Sequence, residues 1–256
     1  MSSPLPPPPH LAGPRPGLAR GARLWLVRHA EVHADWVGRS YGGDQDVPLS
    51  TEGERRSAEL ASSVARLGPR LILSSDLSRA RHLAERAARE AACPLRLDPR
   101  LREVNRGRWH SLDVGDLHRD RAAEVSAFYA DPWHFDGHGG EGDGHVAERA
   151  WPLVLGALAE VGDGVLVIAA HYNVIRVLTG CALGLPPARS FALRVDKGRA
   201  VALEDSADGW RLLASNVADP GNHDIGDEHM GVRPGDLAAM PSAPPADAHE
   251  GSRRDP

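Results

Sequence analysis

The chain has 256 residues, of which 41% are hydrophobic and 25% charged, and a formal net charge of −5. Residues 218–256 carry eight Asp and Glu against three Arg, so the middle of the chain is near neutral and no basic face for nucleic acid is expected. No apolar stretch approaches the roughly 20 residues of a membrane span. The start of the chain lacks the apolar segment of a secretory signal. Cys93 and Cys181 are read as reduced core thiols, which fits a cytoplasmic protein.

Residues 1–21 hold seven of the 21 prolines and 218–256 hold six more. Both stretches have too little apolar surface to offset chain entropy and are expected to be disordered tails. Residues 22–217 are expected to form one domain. Its first strand covers about 23–28, ending on Arg28-His29-Ala30. A Gly-rich loop follows, from Gly38 to Pro48. Thr51-Glu52-Gly53-Glu54 reads as a capping box, with Leu60, Ala61, Val64 and Leu67 at helical spacing behind it.

A second strand, 70–73, runs into Ser74-Ser75-Asp76, with Asp76 as the expected N-cap of the next helix. That numbering puts Arg79 at the third helical position. A short strand follows at 95–97, then Leu101-Arg102-Glu103. Helices are expected over 113–129 and 145–160, with Pro152 kinking or delimiting the second. The most apolar strand, 164–170, ends on His171 and feeds another helix. Segments 191–196, 199–204 and 210–214 read as antiparallel edge strands, the first two joined at Asp196-Lys197-Gly198. Strands alternating with helices give a three-layer α/β/α sandwich, with a mostly parallel sheet and an antiparallel edge.

Two strands therefore end on a histidine, and a third leads into a helix whose first turn carries Arg79. In parallel sheets the C-terminal strand edge is where ligands bind. Arg28, His29, Arg79 and His171 are expected to converge there, with helix N-termini adding backbone donors. Two guanidinium forks match phosphate oxygens, and they also disfavour an imidazolium, so His29 should be neutral and nucleophilic. A leaving oxygen then needs a proton, and Glu103 is the best-placed carboxyl along the chain.

These residues resemble the histidine phosphatase superfamily, which includes the phosphoglycerate mutases. Val27-Arg28-His29-Ala30-Glu31 is similar to its Arg-His-Gly motif. Asp46 to Gly53, Ser74 to Ala80, Leu101 to Glu103 with Gly107 to Trp109, Gly139 to Glu141 and His171 to Arg176 resemble its further segments, in order over about 24–217. The resemblance implies a phosphomonoesterase acting on a small phosphorylated metabolite, with His29 as the phosphorylated nucleophile. Arg28, Arg79 and His171 would hold the phosphoryl group. Glu103 would be the acid, then the base for water. No metal and no other cofactor is implied. Rival readings are a cofactor-dependent mutase and a catalytically silent phospho-ligand or partner-binding module.

Departures bear on the substrate. Tyr172 replaces a glycine beside His171, and with Asn173 and Arg39 it is a candidate substrate contact. Arg39 and Tyr41-Gly42-Gly43 resemble the α-ribazole phosphatase branch. The Glu103 region is of the phosphatase type. Specificity is expected to lie in loops 31–47 and 105–145 and in Tyr172. His134, His138 and His145 are read as members of an exposed Gly-rich loop and not as metal ligands. His223, Asp224 and His229 fall in the acidic tail and are likewise not assigned a metal.

Overall fold

A computed structural model describes residues 5, 7–9, 21–206 and 208–223. Asp224, His229 and most of both tails lie outside the described residues. Six strands form one sheet: β1 Arg23–Arg28, β2 Leu71–Ser74, β3 Leu95–Leu97, β4 Val165–Ala170, β5 Ala200–Ser206 and β6 Gly209–Val217. Their order is β3-β2-β4-β1-β5-β6. The first four are parallel, while β5 runs antiparallel to β1 and β6 antiparallel to β5.

The alternation of each central strand shows why the sheet is covered twice. Leu24, Leu26, Leu71, Leu73, Leu166 and Ile168 point to one face. There they meet α5 (Asp143–Val161) and α6 (Tyr172–Leu183). Trp25, Val27, Ile72, Val167 and Ala169 point to the other face. That face is covered by α1 (Thr51–Ala65) and α2 (Ser78–Ala91). Strands buried on both faces are apolar throughout, which is how these segments read in sequence. The three-layer sandwich with an antiparallel edge is the observed fold.

Several local expectations need correction. The N-cap of α1 is Ser50, whose hydroxyl accepts from Gly53 N–H at 3.0 Å; Thr51 is already the first helical residue. Asp76 does not cap α2. Its carboxylate is taken by Arg102 in a two-point pair at 2.7 and 2.5 Å. Leu77 occupies the N-cap position, so Arg79 is the second helical residue. The capping acceptor comes from another loop: Asp46 Oδ1 accepts from both the Ser78 N–H and its hydroxyl at 2.7 Å.

Residues 113–129 form two helices, α3 (Val114–Asp120) and α4 (Ala122–Ala130). They close over a separate apolar cluster of Trp109, Leu117, Val125 and Phe128. Helix α5 continues through Pro152. Segment 191–196 is not a strand: Pro187–Ala192 is a 3₁₀ turn that begins on a proline, and Phe191 lies under the Arg176 guanidinium, 3.9 Å from its ring centre. His138 is fully buried, not exposed. It packs edge-on against Trp109, with ring centres 4.7 Å apart. His145 sits in the first turn of α5, where Nδ1 accepts from Gly142 N–H at 3.2 Å. His134 is exposed and pairs with Asp131.

Candidate active site

Strands β1 and β4 are paired so that Arg28 stands opposite Ala170. His29 and His171 are each one residue past that pair, and their ring centres are 5.3 Å apart. His29 is held by the main chain on both sides: its N–H donates to Ala170 C=O at 3.2 Å, and Gly198 N–H donates to its C=O at 2.9 Å. Its Nδ1 lies 2.7 Å from the Ala30 carbonyl. A carbonyl only accepts, so Nδ1 carries the proton and Nε2 keeps its lone pair. Burial first, then the Arg79 and Arg28 guanidiniums, hold the His29 pKa well below its ordinary 6.5. The ring is neutral and its Nε2 is free to act as a nucleophile.

His171 has the opposite tautomer. Arg79 Nε donates to its Nδ1 at 3.2 Å, so the proton is on Nε2. That Nε2 is buried and has no hydrogen-bond partner among the described residues. Burial and the neighbouring Arg79 keep this ring neutral as well. The pair is thus one lone pair and one N–H donor, side by side and both buried.

The two arginines are anchored by main-chain carbonyls. Arg79 is fully buried and donates from Nη1 to Gln45 C=O at 2.9 Å and from Nη2 to Gly42 C=O at 3.3 Å. Arg28 donates from Nη1 to Val195 C=O at 2.6 Å, and its Nε has no partner among the described residues. Among the described residues, no carboxylate forms an ion pair with either guanidinium. A site with excess positive charge, a neutral nucleophile and an N–H donor is built for an anion with an electrophilic centre.

Glu103 is 7% exposed. Its Oε1 accepts from Val104 N–H at 2.8 Å, and Oε2 lies 3.4 Å from Asn173 N–H in the first turn of α6. The carboxyl is thereby fixed against the same helix that follows His171. Asn173 contributes that N–H, while its side-chain oxygen is turned to Arg176 at 3.3 Å. Tyr172 is half-buried, its ring centre 5.1 Å from the Arg28 guanidinium carbon. Arg39 is exposed and donates to Ser111 C=O at 3.3 Å. Among the described residues, no contact joins its side chain to the histidine pair.

Sequence reasoning missed three supports. Arg149 grips the Glu103 segment: it donates to the Arg102 C=O at 2.8 Å and to Glu141 Oε1 at 2.8 Å. Glu141 Oε2 in turn accepts from Asn105 N–H at 2.9 Å, so Glu141 shapes the loop and does not enter the site. Arg176 and Asp143 form a fully buried two-point ion pair at 2.7 and 2.6 Å, which ties α5 to α6. Gly43 lies so close to the Glu103 carbonyl that a Cβ there would sit 2.2 Å from it. Glu141, Arg176 and Gly43 fall inside segments singled out in the sequence, but their partners are set by the fold and no local pattern reveals them.

A family model described as the histidine phosphatase superfamily (branch 1) matches residues 24–218. The chain is 28% identical over 176 residues to the adenosylcobalamin/alpha-ribazole phosphatase of Escherichia coli (strain K12), covering 69% of this chain and 86% of that one. It is 33% identical over 175 residues to the glucosyl-3-phosphoglycerate phosphatase of Mycolicibacterium vanbaalenii, covering 65% and 76%. Among solved structures, the native mycobacterial glucosyl-3-phosphoglycerate phosphatase superposes with a TM-score of 0.68 at 29% identity, covering 77% of this chain and 99% of that one.

Proposed function

Because the chain belongs to the histidine phosphatase superfamily, we infer that it is a phosphatase that hydrolyses the monoester of a small phosphorylated metabolite through a phosphohistidine on His29. The observation that carries this reading is the tautomer pair. His29 Nε2 offers a lone pair, and the unpartnered His171 Nε2–H offers a donor to the same space.

In the first step His29 Nε2 attacks phosphorus and the bond from phosphorus to the ester oxygen breaks. Charge on the equatorial oxygens is met by Arg28, Arg79, the His171 Nε2–H and the N-terminus of α6. Glu103 passes its proton to the departing oxygen, releasing the alcohol. In the second step Glu103 takes a proton from water as the water oxygen bonds to phosphorus. The P–N bond breaks, its electron pair returns to Nε2, and phosphate leaves. The cations and N–H donors supply the positive charge, so the reaction as drawn needs no metal. Both cysteines are free thiols, and we place the enzyme in the reducing cytoplasm.

The test is covalent labelling. Brief incubation with a phosphorylated substrate and an acid-free quench should give a base-stable, acid-labile phosphoryl group that is absent in His29→Ala. Equal turnover of an aryl phosphate by His29→Ala and the unaltered protein would overturn the assignment.

A further inference from the structure

The main chain that fixes Arg28 and His29 is itself held from β6, at the edge of the sheet. The loop 195–198 touches both residues. Val195 C=O accepts from Arg28 Nη1 at 2.6 Å, and Gly198 N–H donates to His29 C=O at 2.9 Å. Just beyond the loop, Arg199 C=O accepts from Arg28 N–H at 2.9 Å. Asn216 clasps the middle of this loop at two points. Asp196 N–H donates to its Oδ1 at 2.8 Å, and its Nδ2 donates to Asp196 Oδ2 at 2.9 Å. A primary amide carries an acceptor and donors side by side, so one rigid group satisfies a main-chain N–H and a carboxylate together. The Asp196 carboxylate also meets Arg194, but that side chain is 71% exposed, and an ion pair in water holds little. Asn216 and Asp196 are both half-buried.

The backbone at Asn216 is shaped for this reach. Its φ is +57, a left-handed conformation in which side chains are uncommon and asparagine is among the best tolerated. It coincides with a bulge. Ala200 pairs with Val217 and Ala202 with Ala214, so Ser215 and Asn216 together lie opposite Val201. A bulge takes a side chain out of the strand's alternation and re-aims it. Glycine would adopt the same backbone with less strain. What glycine lacks is the amide, and the amide is the part that holds Asp196.

We propose that Asn216 is a positioning residue for phosphoryl transfer: through the loop 195–198 it sets the Arg28 fork and the His29 main chain in one register. Arg79 and His171 are anchored elsewhere, Arg79 by the carbonyls of Gln45 and Gly42 and His171 by Arg79. An anion can therefore still be bound without Asn216. What is lost is the alignment of the nucleophile with its clamp, which matters most when phosphorus is five-coordinate. This inference rests on the phosphatase reading, in which His29 attacks and Arg28 holds the phosphoryl group.

The test compares the unaltered full chain with Asn216→Gly and with the double variant Asn216→Asp plus Asp196→Asn. The first keeps the left-handed backbone and removes the amide. The second exchanges donor and acceptor across the clasp and keeps both hydrogen bonds. Each protein is titrated calorimetrically with orthovanadate, which takes the five-coordinate geometry of the transferring group, and with inorganic phosphate, which stays tetrahedral. In Asn216→Gly the Kd for vanadate should rise by about ten-fold or more and kcat on p-nitrophenyl phosphate should fall by a similar factor, while the Kd for phosphate moves by less than about three-fold. The double variant should bring vanadate binding back to within about three-fold of the unaltered chain. A purely structural role would lower the number of binding sites in Asn216→Gly and leave both Kd values unchanged, and that result would overturn the proposal. So would a double variant that binds vanadate no better than Asn216→Gly. An unaltered chain that binds neither anion and turns over no aryl phosphate would instead overturn the phosphatase reading, and the role of Asn216 with it.

Discussion

Arg79 Nε and His171 Nδ1 are joined by a 3.2 Å hydrogen bond, and that bond sets which nitrogen of His171 is left to donate elsewhere. In the proposed reaction the arginine is thus both a ligand for the anion and the group that orients a second donor. Arg79→Lys would keep a cation but lose the fork that reaches His171, Gln45 and Gly42 together. We expect kcat/KM on an aryl phosphate to fall by about 100-fold or more. A fall of less than three-fold would show that the fork is not needed.

Glu103→Gln separates the two chemical steps. An aryl leaving group needs little help from an acid, whereas attack by water still needs a base. The variant should release one equivalent of phenol per active site in a burst and then turn over about 100-fold more slowly. A linear time course without a burst would remove Glu103 from the second step.

The histidines predict a pH dependence for stability. His29 and His171 have folded pKa values well below 6.5, and buried His138 is lowered to about 4. Above pH 6.5 these rings are neutral in both folded and unfolded chains and contribute no slope. Below 6.5 the unfolded chain takes up protons that the folded one refuses, so stability is lost on acidification. For His138 the loss is on the order of 1.4 kcal/mol per pH unit between 6.5 and about 4. Urea midpoints measured from pH 7.5 to 5 should fall less steeply in His138→Gln than in the unaltered chain; parallel curves would contradict this. The neutral His29 and His171 also mean that kcat/KM should show no limb near pH 6.5 from either ring.

The Asp143–Arg176 pair is buried on both sides, with side-chain exposures of 3% and 0%. Asp143→Ala strands the guanidinium and should cost about 3–5 kcal/mol. The double variant Asp143→Leu with Arg176→Met should recover much of that loss. Denaturant midpoints decide it: a double variant no more stable than Asp143→Ala would mean that the pair is needed for packing beyond its charges.

Gly43→Ala probes the rim without touching a charged group. The new methyl would press on the Glu103 carbonyl, a backbone atom held by its neighbours. We expect the chain to fold but kcat to drop by about ten-fold or more, since a displacement of about 1 Å at a catalytic group has that scale of effect. Unchanged kcat would show that the loop can give way.

The centre of the fold was legible because Leu24 to Val27 and Leu166 to Ala170 are buried on both faces and read as unbroken apolar runs. The histidines were legible because each follows such a run directly. Arg79 was placed correctly near the site for a partly wrong reason: Asp76 looks like a cap, but its carboxylate is claimed by Arg102, and Asp46 from another loop does the capping. Segment 191–196 alternates like a strand, yet Phe191 is drawn beneath Arg176 and the proline at 187 starts a 3₁₀ turn. Arg149, Glu141 and Asp143 were invisible as a group. Their roles arise from contacts set by the fold, such as Arg149 with Arg102 and Asp143 with Arg176, which periodicity does not encode. Arg39 resembled a substrate contact, but its guanidinium is turned to Ser111.

Strand β1 is the first strand in the chain and sits between β4 and β5, whose residues are made far later. During synthesis the apolar run Leu24-Trp25-Leu26-Val27 must therefore wait without its neighbours until residues 165–206 have left the ribosome. An unpaired apolar strand of this kind is a site for misassociation. Loss of the C-terminal strands should thus harm solubility more than removal of a peripheral helix would. Catalytic competence is also all-or-none in time: His29 has no partner until β4 inserts beside β1, so no shorter nascent chain can carry out the reaction.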